Sequence, residues 1–307
     1  MRYLFNFVII CTLIVVCSVV CAAQQVSDLA FQPKISEPMY KADEGPTVII
    51  DEAHFNFHTA DGRYQPFAQF LRRDGYVVMG SKLPFTPPLL RSADILVIAN
   101  ALAERNQTNW TLPTPPAFTA LEAAAVRQWV QQGGSLLLIV DHMPFPGAAE
   151  NIASEFGIKF SNGFAVDQKV PGPMIFRSSD GGLRNHKIVA GKRAGEKVDS
   201  VATFTGSAFQ ITGEAEPILV LSKGVESYLT STAGQIDKDT PHLPVDGWYQ
   251  GAAIRFGKGR VAVFGEAAMF SAQLAGPNKI PMGMNAPNAS QNPQFLLNVM
   301  HWLSGKL

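Results

Sequence analysis

Cysteine is nearly missing from this chain. Its three cysteines, Cys11, Cys17 and Cys21, all fall within the first 21 of 307 residues. From residue 22 onward a thiol nucleophile, a zinc-thiolate centre and a disulfide framework are therefore excluded, and the remainder must hold together by core burial. An excess of charge of one sign is missing too: 25 Lys and Arg balance 25 Asp and Glu. Nothing in that balance draws the chain to nucleic acid, and no run interleaves basic with aromatic residues, so nucleic acid is not an expected partner. There is no Gly-x-Ser-x-Gly elbow for a serine nucleophile. There is no Walker loop either, because Gly257-Lys258-Gly259 separates two apolar runs instead of preceding a helix. Internal repeats and heptads are also absent.

What is present is apolar and weakly charged. Hydrophobic residues make up 47% and charged residues 16%, the balance of a globular protein with a sizeable core. Met1 and Arg2 precede an apolar stretch over residues 4–20, followed by Cys21-Ala22-Ala23. This reads as a secretory signal cleaved after Ala23, with an uncleaved membrane anchor as the alternative. A third reading, lipidation at Cys21, meets Val20 where that signal wants a small residue. The expected location is the periplasm or cell envelope, with membrane contact only through a retained anchor. Residues 24–46 are polar and punctuated by proline, the composition of a tether.

From residue 47 the pattern becomes that of an α/β domain running to residue 307. Short β-branched or aliphatic runs at 47–50, 76–79, 93–99 and 135–140 read as strands buried on both faces. Between them, 62–74 and 119–132 have helical spacing, the latter opened by the capping box Thr119-Ala-Leu-Glu122 and closed by Gly133-Gly134. Strand, helix and connection alternate, which implies right-handed crossovers and a mainly parallel sheet flanked by helices. The segment 84–90 reads as an irregular connection and 104–116 as a loop long enough to overhang a pocket. After Gly157 the chain becomes β-rich: 158–216 reads as irregular or β structure, 252–256 and 260–264 as a hairpin, and 271–291 as a loop. Pro293 opens a last amphipathic helix.

In open α/β sheets ligands collect beyond the carboxyl ends of the strands, so polar residues there are candidates. Asp51, His54, Asn56 and His58 follow the first strand. In an extended segment His54, Asn56 and His58 would share one face, since Phe55 and Phe57 alternate with them. Together with Asn100, after the third strand, these are the expected ligand-binding residues. Asp51, His54 and His58 are also candidate ligands for a divalent metal, because imidazole and carboxylate suit zinc, iron or manganese. No cofactor is otherwise expected. Asp141-His142 and Glu266 also end strands and are the catalytic candidates, a carboxylate beside an imidazole being able to orient a general base. Each has a structural alternative: Asp51 and His54 can brace their loop, and Glu266 can cap the turn at 267–270.

Several of these runs together resemble a family. Val48-Ile-Ile-Asp-Glu-Ala-His, Ala93-Asp-Ile-Leu-Val-Ile-Ala, Gly133-Gly-Ser-Leu-Leu-Leu-Ile, Gly259-Arg-Val-Ala-Val-Phe-Gly-Glu and Asn298-Val-Met-His-Trp-Leu are similar to the DUF4350 proteins. These resemble the wider class I glutamine amidotransferase-like superfamily, with its GldG and intraflagellar-transport 52 type domains. The resemblance implies a flavodoxin-like, amidotransferase-like sheet. It does not imply glutamine hydrolysis, because that activity needs a cysteine after a central strand and a downstream His-x-Glu. Here Asp141-His142 follows the corresponding strand and no His-x-Glu is present.

The reading that results is an exported protein binding a small polar ligand at the strand ends, with a saccharide or envelope fragment as the class suited to that compartment. A metal-dependent or His/Asp-based hydrolase is the first alternative. A structural component of an envelope protein complex, as the GldG-like resemblance suggests, is the second.

Overall fold

The computed structural model describes residues 25–170 and 172–307. The expected signal or anchor, with all three cysteines, lies outside the described residues. Among the described residues no helix is long and apolar enough to cross a membrane.

One sheet organises the molecule. Its nine strands in chain order are β1 (Thr47–Asp51), β2 (Val77–Ser81), β3 (Ile95–Ala99), β4 (Ser135–Ile139), β5 (Ile158–Phe160), β6 (Phe209–Ile211), β7 (Glu216–Val220), β8 (Tyr249–Phe256) and β9 (Gly259–Phe264). The spatial order is β2-β1-β3-β4-β9-β8-β6-β5, with β7 also on β8. The pairs from β2 through β9 are parallel, and those of β8 with β9, β7 and β6, and of β6 with β5, are antiparallel. The parallel half therefore carries the flavodoxin-like order, whose switch point lies between β1 and β3.

Alternate residues of the central strands feed two cores. Val48, Ile50, Val97, Leu137, Ile139 and Phe264 face α1 (Gln65–Arg73) and the last helix, α6 (Asn292–Leu303). Ile49, Leu96, Ile98, Leu136, Leu138 and Val263 face α3 (Ala120–Gln132) and α4 (Phe145–Ser154). Parallel strands covered on both faces must be apolar through their centres, as these are over Val48–Ile50, Ile95–Ala99 and Leu136–Ile139. On α6, Phe295, Leu296, Val299, Trp302 and Leu303 are buried, each worth roughly 1.5–3 kcal/mol.

The hairpin of β8 and β9 turns through Gly257-Lys258, with Gly257 at φ 58°, a conformation open to glycine. Gly259 is held for another reason: a Cβ there would stand 2.1 Å from the carbonyl oxygen of Gly134.

Three stretches differ from expectation. The connection at 84–90 contains a short helix, α2 (Pro87–Arg91), opened by its two prolines. The expected loop 271–291 holds two strands, Ala272–Ala275 and Ile280–Gly283, which pair with each other and, through the first, with Gln25–Ser27. The segment 25–46, read from composition as a tether, lies along the domain: Phe31, Ile35 and Tyr40 pack on the core, and Met39 N–H donates to Asp74 Oδ1 at 2.7 Å. Further short strands, Phe164–Val166, Met174–Arg177, Ser200–Thr203, Glu226–Tyr228 and His242–Pro244, and α5 (Lys187–Ala190), capped by His186, belong to the β-rich remainder.

Candidate functional site

Beyond the carboxyl ends of β1, β3, β4 and β9 lies a cavity of about 610 Å³. Four of the residues expected at the site line it: His58, Asn100, Asp141 and His142. Asp51, His54, Asn56 and Glu266 do not. They form the layer behind it.

That layer begins with Asp51. Its buried carboxylate accepts from His54 Nδ1 at 2.9 Å through both oxygens, from Asn56 Nδ2 at 3.0 Å and from the Ala53 N–H at 3.1 Å. His54 reaches across to α3 with its other nitrogen, where Nε2 lies 3.1 Å from Glu122 Oε1. The imidazole is thus clamped between two carboxylates and two rings, Phe85 and Phe118, at 4.6 and 4.5 Å. Burial pulls the His54 pKa down, but hydrogen bonds and charge from Asp51 and then Glu122 outweigh it and leave it raised.

His54, Asn56 and His58 do not share a face. The strand stops at Asp51, and Phe55 adopts φ 48°, which breaks the alternation and turns Asn56 back onto Asp51. His58 instead points to Asn100, whose Nδ2 donates to His58 Nδ1 at 3.3 Å. Asp51, His54 and His58 therefore make no common ligand set. Among the described residues no group of three or more His, Asp or Glu side chains is arranged to hold a metal.

Asp141 and His142 point apart. The Asp141 carboxylate accepts from the backbone N–H of His142 at 2.8 Å and of Ala267 at 3.3 Å, never from the imidazole. The His142 ring donates from Nδ1 to the Met143 carbonyl at 2.8 Å and stacks on Phe164 at 4.1 Å. Glu266 is fully buried and accepts from the Ala268 and Met269 N–H groups at 2.9 and 2.7 Å, which caps the turn after β9. Burial, then the charge of Asp141, push its carboxyl well above the usual range.

The cavity wall itself is largely aromatic. Trp110 packs edge-on against Phe57 and Phe145, with centroids 5.1 and 5.2 Å apart, and Phe164 and His142 continue the surface. Arg63 lies over the Phe57 ring at 3.7 Å and donates from Nη1 to the Phe57 carbonyl at 3.3 Å. Gln273, from the small antiparallel sheet, completes the polar contribution. Sequence reading missed all six of Phe57, Arg63, Trp110, Phe145, Phe164 and Gln273. Trp110 and Phe57 had a signal, since the overhanging loop and the post-strand stretch were already marked. Phe164 and Gln273 had none, because chain folding alone brings them there.

No family model matches the chain, and no curated protein matches it in sequence. Solved structures do match. The IFT52 N-terminal domain superimposes with a TM-score of 0.56 at 14% identity, over 84% of this chain and 97% of that one. Two cytoplasmic proteins of Salmonella typhimurium, STM3548 and STM1381, give TM-scores of 0.49 and 0.45, both at 14% identity, over 84% of this chain and 98% of each of theirs. At such identity the likeness is one of fold: a mostly parallel α/β sheet loosely related to the IFT52 N-terminal domain.

Proposed function

We propose that this chain binds a small polar ligand of the saccharide class in the cavity beyond β1, β3, β4 and β9. One observation carries the reading: a concave site at the switch point of the sheet combines an aromatic wall of Trp110, Phe57, Phe145 and Phe164 with inward polar groups from His58, Arg63, Asn100 and Gln273. The C–H face of a sugar ring packs on aromatic faces while its hydroxyls take fixed donors and acceptors. Membership of the DUF4350 family belongs to the same proposal, as does export to the periplasm or envelope. The fold of the IFT52 N-terminal domain supports the scaffold and says nothing of the ligand.

A second reading has one specific observation in its favour. Because the Met143 carbonyl can only accept, His142 donates from Nδ1, and in the neutral ring this leaves the lone pair on Nε2, the atom a hydrolytic base would use at this cavity wall.

The test is a binding titration of the full chain with a panel of neutral and acidic mono- and disaccharides, repeated on Trp110→Ala. Binding weakened at least about tenfold in the variant is the expected result, given the anchoring role of a half-buried indole in the cavity wall. Absence of binding across the panel sinks the saccharide reading. Product formation in the same panel, lost in His142→Gln, would promote the hydrolase. N-terminal sequencing of material recovered from the envelope tests export, which fails if the chain is found only in the cytoplasm.

A further inference from the structure

Two donors at this cavity have no acceptor. The first is fixed by a chain of hydrogen bonds. The Asp141 backbone N–H donates to Asn100 Oδ1 at 2.9 Å, which orients the amide so that its Nδ2 donates to His58 Nδ1. His58 must therefore carry its proton on Nε2. Nε2 is buried and unpartnered, and the residue is only 2% exposed. Burial, then the charges of Arg63 and His142, pull the His58 pKa to about 3, so the ring is a neutral N–H donor at any ordinary pH.

The second donor is Arg63. Its Nε is buried with no acceptor, and among the described residues no carboxylate pairs with its guanidinium. The carboxylates that end β4 and β9 are already engaged: Asp141 by two backbone N–H groups, and Glu266 by two more. Buried donors left unmade are costly, and a guanidinium fork matches a carboxylate better than a hydroxyl. Across the cavity Gln273 offers the opposite need, a buried Oε1 with no donor.

We infer that the ligand is an acidic sugar whose carboxylate is held by Arg63 and the His58 Nε2–H, with a hydroxyl donating to Gln273. This rests on the saccharide reading above and specifies its charge. The aromatic wall then takes the ring face, and the acid lies at the end of the cavity built from the loop after β1.

Titrating the full chain with D-glucuronate and D-galacturonate, their uncharged amides and the parent sugars tests this. Uronates should bind roughly ten- to hundredfold more tightly than the amides, and Arg63→Gln should bring that ratio close to one, whatever it costs the amides. Equal affinity for uronates and amides in the unmodified chain overturns the inference and leaves the saccharide reading standing. No binding by any member overturns both. Should Arg63→Gln fail to fold by circular dichroism, Arg63→Lys carries the test: it should lower the uronate-to-amide ratio several-fold, and an unchanged ratio overturns the proposal.

Discussion

His54 and His58 occupy one loop and have opposite electrostatic surroundings, and that opposition predicts a pH profile. His54, between Asp51 and Glu122, has a raised pKa; its stabilisation is complete below the unfolded value of about 6.5 and is lost as pH rises through the folded one. His58 has a folded value near 3; it must be neutral when buried, so stability falls as pH drops below about 6.5. Glu266 opposes His58, because its raised carboxyl favours the folded state at low pH, so each histidine is read from the difference in urea midpoint between variant and unmodified chain. The deficit of His54→Gln should shrink as pH rises above about 6.5, and His58→Gln should gain on the unmodified chain as pH falls from about 6.5 to 4.5. A profile unchanged by both substitutions would contradict these assignments. At this scale the sequence showed which side chains gather after β1. It could not show which ones face the cavity, because that turns on the positive φ of Phe55 and on partners as distant as Glu122 and Asn100.

At the element scale, local signals and tertiary contacts meet on α3. Thr119 and Glu122 make the capping box that their spacing predicts, with Thr119 Oγ1 accepting from the Glu122 N–H at 3.2 Å and Glu122 Oε2 accepting from the Thr119 N–H at 3.0 Å. The same carboxylate also receives His54 and the Phe85 N–H through Oε1, and no periodicity announces that. The helix start is thus the far anchor of the loop after β1. Parallel strands were legible because burial on both faces requires unbroken apolar runs. The strands at Ala272–Ala275 and Ile280–Gly283 were not, because they are short, show no sustained alternation and hold a single β-branched residue, Ile280. They are strands by virtue of pairing with each other and with Gln25–Ser27 near the other end of the described chain.

Across the whole molecule, Asp74 ties three distant segments together. It ends α1, accepts from the Met39 N–H at 2.7 Å, and meets His301 Nε2 of α6 at 2.6 Å, with both side chains buried. Breaking a buried, hydrogen-bonded pair from one side leaves the other group uncompensated. Asp74→Ala should therefore lower the unfolding free energy by about 3–5 kcal/mol, and Asp74→Ala with His301→Ala by less than the sum of the two single losses. Urea unfolding of the three variants checks this. Strict additivity would mean that the pair is not coupled.

From its residues alone this chain determined the α/β class, the parallel order of its first half and the end of the sheet where polar residues collect. Those features depend on near-neighbour chemistry: apolar runs, caps and the glycines that close helices. Tertiary structure decided the cavity. Its wall joins Trp110 from a long loop, Phe164 from a short strand, Gln273 from a sheet completed by Gln25–Ser27, and Arg63 from the turn into α1. Only the closure of these separate segments around the switch point leaves Arg63 and His58 as buried donors without acceptors, since a polar group's lack of a partner depends on the whole surrounding fold.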